Sequence, residues 1–517
     1  MIDNKKKMAS SFVSFRQIVL MFYMLVSLIL VFFHEPWEDE LQAWCIARDL
    51  SIPGIFHQMR YEGHFVIWFF LLKPFASLGM SINILNLLSW LLSAAVAGMF
   101  LTSRNFGKTV KILILLSCPL LYWFPVVARC YALIPPALVL LAGLNPVRLK
   151  KPFAYACSLL LLVHTHAYIE GFAGILGVFF AWDLLMHCRR MAASEKWKAA
   201  GVLLLLMTGV LIAFLQVAPA FGTSSYAPDL TVLILHSAST IPSRILNVLM
   251  RLPIDFIGNS VKFIPPKVFI WLFYGMFSAS IFQLFRTRGL RVCIFFLAGF
   301  FWQILFAALL YPMTLHRVYL PFLILIFCYA LPIRKKRLRN IVKPMTRKIL
   351  TSSIPLVVLS VMTLPDMVYY VSQDIRLPFS NQEQTAFFIR NNLPPEGKIY
   401  VFPATLITGT FRAYLPDRVF YRCSDGRPFL VFQTQSPMPE KLDDALIQKL
   451  IGNEDEIYLL FQLGAFLSYG LPNVEEYDFP SFKMNLLYVS NPLAFFSAGE
   501  VYVIFKVTRK KRNANPE

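Results

Sequence analysis

The chain has 517 residues, of which 57% are hydrophobic, 15% aromatic and only 15% charged. Soluble domains carry about a quarter charged residues, so this composition, with a mean hydropathy of +0.59, excludes an ordinary soluble enzyme and indicates a membrane protein. The formal net charge of +20 would suggest nucleic acid in a soluble chain, but membrane proteins collect Lys and Arg in their cytoplasmic loops, and the eight cysteines show neither a disulfide framework nor a CxxC metal pattern.

Lys5, Lys6 and Lys7 precede an apolar run from about Phe12 to Phe33. That length crosses a bilayer and exceeds the apolar core of a cleavable signal peptide. In lipid such runs must be helical, because the backbone has no other hydrogen-bond partner. Ten further spans are expected at about 82–101, 110–127, 130–147, 152–166, 168–187, 199–218, 267–285, 291–311, 316–333 and 348–366. With the N-terminus cytoplasmic, every dense basic cluster between spans falls on that side. These are Arg104, Lys108 and Lys111; Arg148, Lys150 and Lys151; Arg189, Arg190, Lys196 and Lys198; Arg286, Arg288 and Arg291; and the run from Arg334 to Lys343. This asymmetry supports the orientation and accounts for most of the charge without nucleic acid. It also decides the stretch His64–Leu78, which is short and interrupted by Lys73-Pro74. Counting it as a span would invert every later loop, so it is expected to lie in the outer interface with Lys73 snorkelling.

The expected architecture is therefore mainly α, a polytopic bundle of about 11 spans with the C-terminus outside. Residues 1–366 form the membrane domain, with external segments at about 34–81 and 219–266, the second lying on the membrane. Residues 367–517 form a small extracytoplasmic α/β domain. Within that tail, Ser380-Asn381-Gln382-Glu383 is a capping-box pattern opening a helix to about Leu393. Leu442, Ala445, Leu446 and Leu450 mark an amphipathic helix. Strands are expected at about 398–403, 456–461, 485–489 and 500–507.

The polar residues collect on the outer side of this topology. HEPWEDELQAW (His34–Trp44) places Glu35, Glu38, Asp39 and Glu40 where the first span leaves the membrane; carboxylates near hydrocarbon are costly. Arg48, then Arg60, Tyr61, Glu62 and His64, form a second group. Arg129-Cys130-Tyr131 is a third, His164-Thr165-His166 a fourth, and His316-Arg317 a fifth. Taken singly, an Arg at a span end is an interfacial anchor, and two His at i and i+2 do not share a helix face. Taken together, a carboxylate able to act as a base and several cations able to hold a phosphate suit a reaction between a lipid-linked phosphate and an external acceptor.

HEPWEDELQAW, then RYEGHFVIWFFLL, then VVARCYAL resembles the GT-C class of polyprenyl-phosphate-sugar-dependent glycosyltransferases, which includes protein O-mannosyltransferases and lipid A aminoarabinose transferases. The resemblance covers about the first 190 residues and the general layout. Asp39-Glu40 matches the acidic pair that follows the first span in that class, and Glu62 with His64 resembles its second element. Phe65-Val66 stands where many members have Pro-Pro.

The resemblance implies a glycosyltransferase of the bacterial cytoplasmic membrane, moving a sugar from a polyprenyl-phosphate donor to an extracytoplasmic acceptor with inversion. Asp39 is then the expected general base and Glu40 its positioning partner. Arg60, Glu62, His64, Arg129, Tyr131, His166 and Arg317 are expected around substrate and phosphate. No metal or other cofactor is expected, although Glu62 and His64 leave a divalent ion open. A transporter or flippase of envelope precursors, or a non-catalytic assembly protein, is the alternative.

Overall fold

The computed structural model describes residues 14–62, 64–188, 192–217, 240–258, 265–333, 353–402, 410–428, 439, 441–470, 475–491 and 501–510. The expected basic clusters at 189–190 and 334–343, and the outer segment 219–239, lie outside these residues. The chain forms two compact units: residues 1–32, 59–68 and 86–371 make one, and residues 33–58, 69–85 and 372–517 the other. Two stretches of the expected first outer loop thus cluster with the C-terminal segment instead of with the helices.

Among the described residues, eight helices are long and apolar enough to cross a membrane: Phe15–Phe33, Ile84–Thr102, Cys130–Val147, Ala167–Cys188, Ala193–Val217, Pro266–Thr287, Leu290–Leu309 and Ile354–Arg376. Three shorter apolar helices are Ile67–Ser77, Pro152–Val163 and Leu315–Ala330. The expected continuous span at 110–127 is not there. The α-helix Lys108–Leu115 stops, and a five-residue π-helical turn, Pro119–Trp123, follows. Pro119 has no N–H to continue the ladder, so the helix breaks at the proline.

In the first unit the helix Ala167–Cys188 packs most closely on Leu290–Leu309. Gly171 allows the close approach. A Cβ on Gly171 would lie 2.2 Å from Trp302 Cγ, and the same indole donates Nε1–H to the Ala167 carbonyl at 2.9 Å. Small residues at helix crossings in lipid let backbones approach in this way. Gly171→Ala is therefore expected to cost about 1–3 kcal/mol by overpacking, read as a lowered thermal midpoint of the purified protein; an unchanged midpoint would contradict the crossing. At the other end of this pair Asp183 accepts from Arg148 Nη2 at 2.7 Å and from Arg291 Nη2 at 2.6 Å.

The second unit holds a six-stranded sheet in the order β2-β1-β3-β6-β5-β4. Its strands are β1 (Ile399–Phe402), β2 (Phe420–Arg422), β3 (Glu456–Gln462), β4 (Glu476–Asp478), β5 (Phe482–Val489) and β6 (Tyr502–Arg509). β2, β1 and β3 run parallel, and β6, β5 and β4 continue antiparallel. Successive side chains of a strand point to opposite faces. Ile457, Leu459 and Phe461 of β3 accordingly join Ile447, Leu450 and Ile451 of the helix Asp444–Ile451 on one side. Tyr458 and Leu460 join Ala386 and Ile389 of the helix Gln382–Asn392 on the other. Cover on both faces explains why this strand reads as an unbroken apolar run.

Two local expectations gain detail. Asn381 caps the helix Gln382–Asn392 without a side-chain capping bond; Glu35 Oε1 accepts from the Glu383 N–H at 3.1 Å, placing a carboxylate at the helix N-terminus, where the dipole favours it. Lys73 has partners within the protein. Its Nζ donates to the Ala47 carbonyl at 3.0 Å and to Ser77 Oγ at 3.3 Å, on a helix whose Leu72 and Ala76 are buried.

Candidate functional site

The candidate residues form two constellations, one in each unit. In the second unit, the chain leaving the first apolar helix turns through His34–Trp37 into the helix Glu38–Asp49. Glu40 is fully buried. Its Oε2 accepts from the Trp37 backbone N–H at 3.2 Å, closing the first turn, and from His34 Nε2 at 3.0 Å. The other imidazole nitrogen, Nδ1, lies 3.0 Å from Asp374 Oδ2, and the ring stands edge-on to Phe379. Ionised carboxylates only accept hydrogen bonds, so a ring held between two of them carries both protons. Burial alone pulls the His34 pKa down, but Asp374 and Glu40 outweigh it and push it up to about 10. His34 is thus a buried cation that ties the acidic loop to residue 374.

The four acidic residues of the loop divide accordingly. Glu40 belongs to the buried triad and Glu35 caps a distant helix, while Glu38 and Asp39 are partly exposed in the first turn of their helix. Arg48, at the other end, makes a two-pronged bond to Asp49 at 2.6 and 3.1 Å and donates to the Arg412 carbonyl at 2.8 Å. It serves the structure of this unit.

In the first unit the structure gathers His64, Arg129, Tyr131, His166, His316 and Arg317. Tyr131 lies in a 3-10 turn, Cys130–Leu133, that opens the Pro135-Pro136 helix. Arg317 Nε donates to Tyr131 Oη at 2.8 Å, and His166 Nε2 lies 2.8 Å from the same oxygen. The Tyr168 backbone N–H donates to His166 Nδ1 at 3.1 Å, so the neutral ring carries its proton on Nε2 and gives it to Tyr131. Tyr131 Oη therefore accepts twice, and its own hydroxyl proton is left for a further acceptor.

His64 follows the same logic. Arg129 Nη2 lies 3.3 Å from His64 Nε2, and a guanidinium only donates, so Nε2 accepts and the proton sits on Nδ1. Among the described residues, that Nδ1 is buried with no hydrogen-bond partner, as is His316 Nε2. Burial first, and then the Arg317 charge, push His64 down to about 4, which keeps it neutral at pH 7. Arg317 bonds only hydroxyls among the described residues: Tyr131, Thr314 Oγ1 at 3.3 Å and Tyr311 Oη at 3.5 Å. Its guanidinium also lies over the Tyr311 ring, 4.4 Å from the centroid. Leu315, the one described non-glycine residue with positive φ (55°), opens the 3-10 turn Leu315–Tyr319 that carries His316 and Arg317. Such strain costs about 1–3 kcal/mol and persists only where surrounding contacts enforce it.

This cluster contains two guanidinium groups, two unspent N–H donors or ring nitrogens, and an unspent hydroxyl. Such a set binds an anion with several acceptor oxygens. Five of the seven expected binding residues are joined by bonds within it, Tyr131 to both His166 and Arg317, and His64 to Arg129. Arg60 is exposed and makes none of these contacts, and Glu62 closes its helix partly buried. His316, packed edge-on against Tyr131 at 4.0 Å between centroids, and Tyr311 were not among the expected ligands. His316 was signalled by its neighbour Arg317; nothing in the sequence marks Tyr311. Among the described residues no group of three or more His, Cys, Asp or Glu is placed to hold a metal ion.

No family model and no curated protein sequence matches the chain. Its fold does match solved structures. The apo crystal structure of ArnT from Cupriavidus metallidurans is 13% identical, with a TM-score of 0.51, over 94% of this chain and 97% of that one. The structure of the same protein bound to undecaprenyl phosphate is 12% identical, with a TM-score of 0.52, over 95% and 97%. The chain thus has, along nearly its whole length, the fold of ArnT, a membrane helix bundle with a small C-terminal sheet domain.

Proposed function

We propose that this protein is a membrane glycosyltransferase that moves a sugar from a polyprenyl-phosphate donor to an extracytoplasmic acceptor with inversion. The observation that carries this reading is the donor-rich cluster of His64, Arg129, Tyr131, His166 and Arg317. It is supported by a fold shared with a protein crystallised with undecaprenyl phosphate. In the proposed reaction a base takes the proton of the acceptor hydroxyl and the acceptor oxygen attacks the anomeric carbon. The bond from that carbon to the phosphate oxygen breaks, and its electron pair stays on the phosphate. Negative charge therefore grows where the arginines and the Tyr131 proton can stabilise it.

Asp39 is the proposed base, from its place in the acidic pair and its partial exposure. Glu40, held by His34 and the Trp37 N–H, is assigned to fixing the turn on which Asp39 stands. The cell membrane is the proposed location, with the C-terminal sheet domain on the outer side.

Undecaprenyl phosphate in mixed micelles tests the anion site. Tyr131→Phe removes one hydrogen bond to a charged group, worth about 1.5–3 kcal/mol, and should weaken binding about tenfold to a hundredfold. Asp39→Asn should leave that binding intact and abolish transfer from the corresponding phosphosugar. Equal binding by Tyr131→Phe and wild type would remove the phosphate assignment. Transfer retained by Asp39→Asn would remove the base.

A further inference from the structure

The first unit contains a cavity of about 680 Å³ between the helices Ile84–Thr102, Lys108–Leu115, Ile134–Leu144 and Leu320–Ala330. Phe100, Leu138 and Phe327 line its walls, and Leu120 and Pro135 its deep end. Its polar lining residues, Thr102, Ser103, Arg104 and Asn105, follow one another where the helix Ile84–Thr102 ends. Asn105 Nδ2 donates to the Ala330 carbonyl at 2.5 Å and fixes that rim. Arg104 is exposed and has no bonded partner among the described residues.

The cavity is partly open, and its wall atoms lack protein contacts across it. Its apolar lining offers water no partners, so it takes an apolar occupant. The volume falls in the range of ligand pockets. The guanidinium at its mouth is a fork for phosphate oxygens. An amphiphile with one long apolar chain and an anionic head satisfies both ends. The mouth is distinct from the proposed phosphate site: Tyr131 precedes the helix Ile134–Leu144, whose 11 residues separate it from Arg104 by about 16 Å.

We infer that this cavity is a binding site for an anionic phospholipid of the leaflet facing the basic loops, with an acyl chain inside and the headgroup phosphate on Arg104. The site is independent of the glycosyltransferase reading. Native mass spectrometry of the delipidated full-length protein tests it, with dioleoylphosphatidylglycerol and dioleoylphosphatidylcholine as probes. The anionic lipid should bind in preference, and Arg104→Gln should weaken it about tenfold, the worth of a charge-assisted bond. Lys150→Gln, exposed and off the cavity, should have no effect. Gly143, on the cavity wall, has open space around an added Cβ, so Gly143→Phe should fill the chamber and remove binding at an unchanged thermal midpoint. Equal binding of the two lipids, an Arg104→Gln protein that binds as wild type, or competitive displacement of the anionic lipid by undecaprenyl phosphate would each overturn the assignment.

Discussion

Arg317→Met is expected to lower the turnover of glycosyl transfer by about 10²–10³-fold, with a smaller change in the donor KM. The asymmetry follows from charge. In the proposed reaction the donor phosphate is a monoanionic diester, and the departing polyprenyl phosphate gains negative charge as the glycosidic bond breaks. A cation aimed at it stabilises the transition state more than the ground state, so its loss appears in kcat. Arg317 suits this role because its bonds go to the hydroxyls of Tyr131, Thr314 and Tyr311, which leave its charge unneutralised. Methionine keeps much of the apolar stem and removes the charge. Arg317→Lys restores charge without the planar fork that reaches Tyr131 and Tyr311 together, and should fall between methionine and wild type. Initial rates with a labelled polyprenyl-phosphate sugar in reconstituted vesicles provide the measurement. Unchanged turnover in Arg317→Met would sink the phosphate role of the cluster.

The second large effect is on stability. His34→Ala deletes the cation between Glu40 and Asp374, both buried. Removing one partner of a buried ion pair leaves uncompensated charge and costs about 3–5 kcal/mol. The sign of the pH dependence is fixed by the raised pKa. His34 titrates near 6.5 when unfolded and near 10 when folded, so its contribution is complete below the unfolded value. It is lost as pH rises through that window. Wild-type thermal midpoints should fall between about pH 6.5 and 10, and His34→Ala should start lower and lose that part of the slope. A variant with the same midpoint as wild type at pH 6 would show that the triad contributes nothing.

Much of the helical architecture was legible because lipid leaves the backbone one solution and apolar length reveals it. The strands of the tail were legible for a related reason: β3 is buried on both faces and reads as EIYLLFQ. The break at Pro119 was missed because hydropathy continues smoothly across it, although the proline itself was visible. The polar cluster was legible by residue type and not by partner. Tyr131 meets residues 35 and 186 positions away, and no local pattern encodes which distant side chain arrives. Arg60 stood in the motif that carried the family resemblance, yet it is exposed, whereas His316 and Tyr311 complete the cluster from the far side of the chain. Glu35 and Glu40 were read as members of one acidic group; their separate duties depend on Glu383, His34 and Asp374, whose approach belongs to tertiary structure.

The His34–Asp374 bond joins positions 340 residues apart, and that separation sets an order of events during synthesis. At roughly 5–20 residues per second, the acidic loop waits on the order of 20–70 s after its own emergence before the carboxylate that completes its triad exists. Throughout that interval the His34–Glu40 pair lacks its second carboxylate, and the helix that Glu35 caps has not been made. The turn bearing Asp39 therefore acquires its final form late, after most of the helices have been inserted, and a nascent chain halted before residue 374 holds the proposed base without the scaffold that fixes it.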